Sequence, residues 1–196
     1  MARILAFSDL HLSRHRSAEI RAAARGADIV IGAGDFCNGR NGLDEAMDLL
    51  WILEADAIYV PGNAESVEEL RAATSATVLH GQAVERAGLS IFGLGYGVPT
   101  TPFGSWSCDL TEEEAEALLA GMKNADILIS HSPPVGLADL TSTGRHVGST
   151  AVRAAIERVQ PRLCLCGHIH DSWGKSGFIG RTAVHNLGPT ANWFEV

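Results

Sequence analysis

Apolar residues fall along this chain in short unbroken runs, each ended by glycine, proline or a polar residue. Seven runs stand out: RILAFS (3–8), DIVIGAG (28–34), AIYV (57–60), LSIFGLG (89–95), DILISH (126–131), RLCLC (162–166) and TAVHNL (182–187). Runs this short and continuous fit strands buried on both faces, where neither side alternates with polar residues.

Between them the spacing changes to the helical period. GLDEAMDLLWILEAD (42–56) sets Leu43, Met47, Leu50 and Leu53 on one face. LTEEEAEALLAGMKN (110–124) opens with Thr111 and Glu114 in capping-box register and closes near Gly121. STAVRAAIERVQP (149–161) offers Ser149 as N-cap and stops before Pro161. Alternation of strand and helix predicts an α/β domain around a largely parallel sheet, a single domain over 1–196. The Gly- and Pro-rich GLGYGVPTTPFGSWS (93–107) reads as a long surface loop, and loops of that length inside a domain are commonly functional.

Composition narrows the partners. The 196 residues carry a net charge of -8, and no basic run stands out, which argues against a general nucleic-acid binder. A small anion stays allowed, because a local site can oppose the global sign. Cys37, Cys108, Cys164 and Cys166 form no CxxC, and reduced buried thiols are expected. No apolar run nears the ~18 residues of a membrane span. The opening MARILAFSDLH has no signal-peptide pattern, so a soluble cytoplasmic protein is expected.

The polar residues at the run ends carry the chemistry. RILAFS leads into Asp9 and His11, DIVIGAG into Asp35, AIYVPG into Asn63, DILIS into His131, and RLCLCG into His168 and His170. In an open α/β sheet ligands bind beyond the carboxyl ends of the strands, so these scattered residues converge on one rim. Each alone reads as a cap, turn or loop residue. Together they are two carboxylates, one amide and four imidazoles, a set suited to Mn, Fe or Zn rather than Ca. Seven ligands exceed one tetrahedral zinc and suit two metals ~3.5–4 Å apart, with one carboxylate bridging. Two such ions leave net positive charge, which attracts a phosphate and acidifies a bound water.

As an ordered set the motifs resemble the calcineurin-like metallophosphoesterases, whose pattern is DxH, GD, GNH followed by an acid, a His after a strand, and GHxH. Here they read DLH, AGDF, GNAE, SHSPP and GHIH, spanning 9–170. The resemblance implies a four-layer α-β-β-α sandwich, two mixed sheets flanked by helices. It implies that Asp9, His11 and His170 hold one metal, that Asn63, His131 and His168 hold the other, and that Asp35 bridges them. The ions would be divalent or trivalent Mn, Fe or Zn, and a metal-bridging hydroxide would attack phosphorus. SHSPP, GSTAVRAAIERVQP and HNLGPT are similar to a small subgroup whose animal members resemble phosphodiesterases of nucleotide esters. A phosphodiesterase acting on a small phosphate ester, with nucleotides among the candidates, is the implied activity. The alternatives are a phosphomonoesterase and a catalytically weakened binding scaffold. The oligomeric state stays open.

One position departs from the pattern. Ala64 stands where the family has a His near the scissile phosphate, and alanine cannot assist a leaving group. His146 in STGRHVGS is the first candidate for a substitute acid, with Arg145 beside it as a phosphate contact. His185 reads as packing or support, and His15 and His80 have no informative context. Cys37 is a rim or core thiol, since no base neighbours it in sequence. Tyr96, Phe103 and Trp106 could wall a pocket and stack a base, or tack their loop to the core.

Overall fold

The computed structural model describes all residues, Met1–Val196. In β1 (Arg3–Phe7) successive side chains leave opposite faces. Ile4 and Ala6 enter one apolar core, Leu5 and Phe7 another, and all four are fully buried. The same division recurs in β2 (Ile29–Gly32) and β3 (Ala57–Tyr59), which is why these runs show no polar alternation.

The strands form two sheets. The first runs β11 (Asn192–Glu195), β1, β2, β3, β4 (Thr77–Val78), parallel except for β11. The second runs β5 (Gln82–Arg86), β6 (Leu89–Leu94), β7 (Ile127–Ser130), β8 (Leu163–Cys166), β10 (Thr182–Asn186), β9 (Ser176–Ile179). Its four inner strands are parallel and its two edges antiparallel. Ile4, Ile31 and Ile58 of the first sheet meet Ile91, Ile127 and Leu165 of the second in a shared core. Outside the first sheet, Phe7 and Tyr59 pack under α1 (Arg14–Ala23), α2 (Leu43–Leu50) and α3 (Val67–Ala73) through Ile20, Met47 and Leu70. Outside the second, Phe92 and Leu128 pack under α4 (Glu112–Leu119) and α5 (Thr150–Val159) through Leu119 and Ile156. These are four layers: helices, sheet, sheet, helices.

The run pattern alone predicts one largely parallel sheet, and the structure has two mixed ones. A strand buried on both faces looks the same whether a helix or a second sheet covers it. The antiparallel edges escaped the pattern because they are half exposed; Gln82, Ala83 and Glu85 of β5 face solvent. Helices α1 and α3 escaped it as well, although α3 opens with Ser66 and Glu69 in the capping-box register that marks α4. The segment 42–56 is α-helical only to Leu50 and continues as a 3-10 turn, Trp51–Asp56. The expected caps form: Thr111 with Glu114 at α4, and Ser149 at α5.

One buried carboxylate joins the carboxyl ends of β2 and β3. Glu65 is fully buried. Its Oε1 accepts the Asp35 N–H at 2.8 Å and the Gly62 N–H at 2.7 Å. Its Oε2 accepts the Phe36 and Cys37 N–H groups at 3.1 and 3.3 Å. Burial and the neighbouring Asp35 push its pKa up to about 7, against the pull of these donors. Gly62 is needed here for room, since a Cβ would run into the Asp35 carboxylate. Glu65→Gln would turn an amide NH₂ toward N–H donors, leaving buried groups unpaired at a cost of about 1–3 kcal/mol. The expected outcome is a Tm lower by about 5 °C in a thermal melt of the metal-free protein. An unchanged Tm would show that the tie contributes nothing.

Candidate metal centre

The carboxyl ends of five strands, three from the first sheet and two from the second, meet at one edge of the sandwich. Beyond β1 lie Asp9 and His11, beyond β2 Asp35, beyond β3 Asn63, beyond β7 His131, and beyond β8 His168 and His170. Hydrogen bonds between the sheets fix their approach. His131 Nδ1 lies 2.8 Å from the Ala33 carbonyl, and the His168 N–H reaches Asp9 Oδ1 at 3.0 Å. Asp9, His11, Asp35 and His168 all have positive φ, from 44° to 67°. Non-glycine residues held in that region cost energy and cluster at functional sites.

The seven residues fall into two groups sharing one member. One ligand atom each from Asp9, His11, Asp35 and His170 lies within 4.8 Å of the others, and so do those of Asp35, His131 and His168. Asp35 stands between them. Its Oδ2 is 3.6 Å from His11 Nε2, and its Oδ1 is 3.5 Å from His131 Nε2. Asn63 Oδ1 joins the second group, 3.2 Å from His131 Nε2. His11 Nε2 and His170 Nε2 face each other at 3.2 Å in the first.

The donor set fits two metal ions. Nδ1 of His131 faces a carbonyl, and Nδ1 of His11 faces that of Cys37 at 3.2 Å. A carbonyl only accepts, so both nitrogens carry the proton and both Nε2 lone pairs point at the centre. Burial, with His131 alongside, pushes the His168 pKa down to about 3, which keeps that imidazole neutral. Burial opposes ionisation of Asp35, yet His131, His11, His168 and the Ala64 N–H outweigh it and hold its pKa below the ordinary value. Burial opposes protonation of His131, yet Asp35 and Asp9 hold its pKa above the ordinary value, so a metal bound there would displace a proton.

A surrounding layer was not read from the sequence. Trp173 Nε1 donates to Asp9 Oδ2 at 2.9 Å, Ser8 Oγ donates to the same oxygen at 2.6 Å, and the Trp173 ring lies 4.2 Å from the His170 ring. Asn186 Nδ2 donates to the carbonyls of Gly167 and Ile169, each at 3.1 Å, fixing the loop that carries His168 and His170. Asn63 Nδ2 donates to Ser107 Oγ at 3.0 Å, which orients the amide with Oδ1 toward His131. Apart from the Ser8 bond and the ring contact of Trp173 with His170, these contacts join residues far apart in sequence, and the Trp173–Asp9 and Ser107–Asn63 bonds cross between the sheets. Only HNLGPT, which contains Asn186, carried a signal in sequence.

The other singled-out residues lie apart. His146 Nδ1 is 2.6 Å from Asp139 Oδ1, and the imidazole is half exposed. The buried Asp139 is held by the Gly136 and Gly148 N–H groups. Neither His146 nor the exposed Arg145 lines the cavity above the ligands. His185 edges against Phe194, His15 faces Glu19 on the surface, and His80 Nδ1 accepts from the Gly95 N–H. The Cys37 thiol donates to the Ala64 carbonyl at 3.1 Å, and burial with Glu65 holds its pKa far above the ordinary value, so it is no nucleophile. All four cysteines are free. Ala64 is 1% exposed, and its N–H donates to Asp35 Oδ1 at 2.9 Å.

The cavity above the ligands measures about 400 Å³ and is lined by His11, Asp35, Asn63, His168 and His170, with Phe103, Trp106, Thr141, Ile169 and Asp171. A groove of about 450 Å³ beside α1 carries a single carboxylate, Asp56, and no ligand cluster. The chemistry goes with the first. No helix is long and apolar enough to cross a membrane.

Comparison with known proteins agrees with this geometry. Residues 2–172 match the family described as calcineurin-like phosphoesterase. An uncharacterized protein of Methanocaldococcus jannaschii is 31% identical over 173 residues, covering 83% of this chain and 78% of its own. Human metallophosphoesterase domain-containing protein 1 is 34% identical over 141 residues, 69% of this chain but only 41% of the human one. The structure of TT1561 of Thermus thermophilus superposes with a TM-score of 0.75 at 16% identity, covering 98% of each chain. A dimetal phosphatase from Danio rerio superposes with a TM-score of 0.62 at 13% identity, covering 96% of this chain and 88% of its own, which shows the shared fold. From the match over 2–172 and the Asp/His cluster at the strand ends, this chain belongs to the calcineurin-like phosphoesterase family.

Proposed function

We propose that the protein is a dinuclear-metal-dependent phosphoesterase that prefers diesters, within one domain spanning 1–196. The observation that carries this reading is the pair of ligand groups sharing Asp35, one carboxylate oxygen directed to each. Asp9, His11 and His170 would hold one ion, Asn63, His131 and His168 the other, and Asp35 would bridge them. Bound ions would supply Lewis-acid charge for a phosphoryl group and lower the pKa of a water. The chain's part is positional. The carbonyls of Ala33 and Cys37 hold the His131 and His11 rings with Nε2 toward the centre, and the ionised Asp35 lies between them. Mn, Fe and Zn all suit this set of imidazole, carboxylate and amide donors.

The preference for diesters follows from what the site lacks. Its lining includes no Lys or Arg, so the second negative charge of a monoester finds no side-chain partner. Ala64 offers no proton to a leaving group. Good leaving groups should therefore depart readily and poor ones slowly. A second reading gives the acid role to His146, braced by Asp139, with Arg145 contacting phosphate from the same hairpin. It requires that hairpin to fold over the cavity. A catalytically weakened scaffold is the remaining alternative, and the full ligand set weighs against it.

Three outcomes are expected. Asp35→Asn removes the shared anionic ligand and should lower both metal content, read by elemental analysis, and hydrolysis of bis-p-nitrophenyl phosphate by about 10³-fold; full activity in this variant would sink the reading. Chelation should abolish turnover, with recovery on adding Mn, Fe or Zn. Across diesters of falling leaving-group acidity, kcat/KM should drop by at least about 100-fold, the scale of a missing general acid. A flat profile that steepens in His146→Ala would instead identify His146 as the acid.

A further inference from the structure

Phe103 and Trp106 stack on each other at the cavity, ring centroids 5.8 Å apart and planes 10° from parallel. They are 52% and 40% exposed. Neither belongs to any of the three apolar cores, so the rings do not serve to fasten their loop to the interior. Tyr96 and Val98 fasten the start of the loop to the cores, and polar bonds hold the segment that carries the pair. The Cys108 N–H donates to the Asn63 carbonyl at 2.9 Å, Ser107 Oγ donates to Asp109 Oδ1 at 2.8 Å, and Thr101 Oγ1 donates to Asp109 Oδ2 at 2.7 Å. Asn63 Nδ2 reaches Ser107, the residue after Trp106, at 3.0 Å. The aromatic pair is thus pinned to a residue of the ligand set, at a fixed distance from where phosphate would sit. Trp106 also runs along Gly39, whose Cβ, if present, would stand 3.6 Å from the indole.

We propose that this pair is the specificity wall of the site, receiving the flat aromatic group of a phosphodiester, such as a nucleobase, while the phosphate faces the ligand set. The proposal rests on the phosphoesterase reading above and names its substrate class. Two large rings left partly in water at the rim of a catalytic cavity gain by being covered with another flat apolar surface. A cavity of about 400 Å³ accommodates a nucleoside monophosphate. With no Lys or Arg in the lining, a chain of further phosphates has no partner, whereas a neutral ring has one. Asp171 adds a polar contact: its Oδ2 accepts the Ser142 N–H at 2.7 Å, and Oδ1 is left to accept from a hydroxyl or amine of the substrate.

The test holds the leaving group constant. Thymidine 5′-(p-nitrophenyl phosphate) and methyl p-nitrophenyl phosphate differ only in the retained group. The metal-loaded protein should favour the thymidine ester by about tenfold in kcat/KM, the worth of one base stacked on an aromatic, and the difference should lie in KM. In Phe103→Leu and Trp106→Leu the ratio between the two esters should fall to within about twofold of unity. In Trp106→Phe, which keeps an aromatic face, the preference should persist. A wild-type ratio near unity, or one unmoved in both leucine variants, overturns the proposal. If neither ester is hydrolysed, the phosphoesterase reading fails and the wall is judged by binding alone. Calorimetric titration should then give AMP about tenfold tighter than inorganic phosphate, with the advantage lost in Trp106→Leu. Equal affinities would overturn it there as well.

Discussion

The centre exists because two sheets meet face to face with the carboxyl ends of their parallel strands at a common edge. Three strands of one sheet and two of the other contribute to it, and neither sheet holds a complete set alone. The shared apolar core, with Ile4, Ile31 and Ile127 among its members, sets how closely the sheets approach. At the edge that contact becomes polar. His131 binds the Ala33 carbonyl across the gap, and Asp9 takes the His168 N–H. Apolar burial supplies the driving force, and these few hydrogen bonds set the register.

Holding so many polar atoms at such an edge is costly. Four residues of the cluster sit at positive φ, and Asp35 and Glu65 are two carboxyl groups buried close together. Each cost is offset locally. Glu65 takes four backbone N–H groups from the turns after β2 and β3, and Asp35 lies between imidazoles. His11 Nε2 and His170 Nε2 face each other at 3.2 Å, a spacing at which a cation would draw on both lone pairs.

The loop over 93–110 runs beside the cavity above the centre. The chain must leave β6, cross the cavity and reach α4; Tyr96 and Val98 pack against the apolar cores, while polar bonds hold the segment that carries Phe103 and Trp106. That choice leaves Phe103 and Trp106 available at the rim. It also makes Asn63 answer to both sides, through its amide oxygen toward His131 and its amide nitrogen toward Ser107. Ala64, next in the chain, is enclosed and contributes a backbone N–H to Asp35 rather than an acid.

The strand runs, the caps at Thr111 and Ser149 and the convergence of seven polar residues beyond the strand ends were legible in the sequence. They depend on local periodicity and on residues that follow a strand directly. The edge strands were not, because partly exposed strands leave no continuous apolar run, and neither were helices α1 and α3, although α3 shares the capping box of α4. The motifs resembled a family with two sheets, but periodicity alone pointed to one, since a run buried on both faces does not say what buries it. The roles of Glu65, Ser107, Trp173 and Asn186 were decided only in three dimensions. Each acts on a residue reached through tertiary contact: Trp173, near the end of the chain, can donate to Asp9, near its start, only once the two sheets have closed.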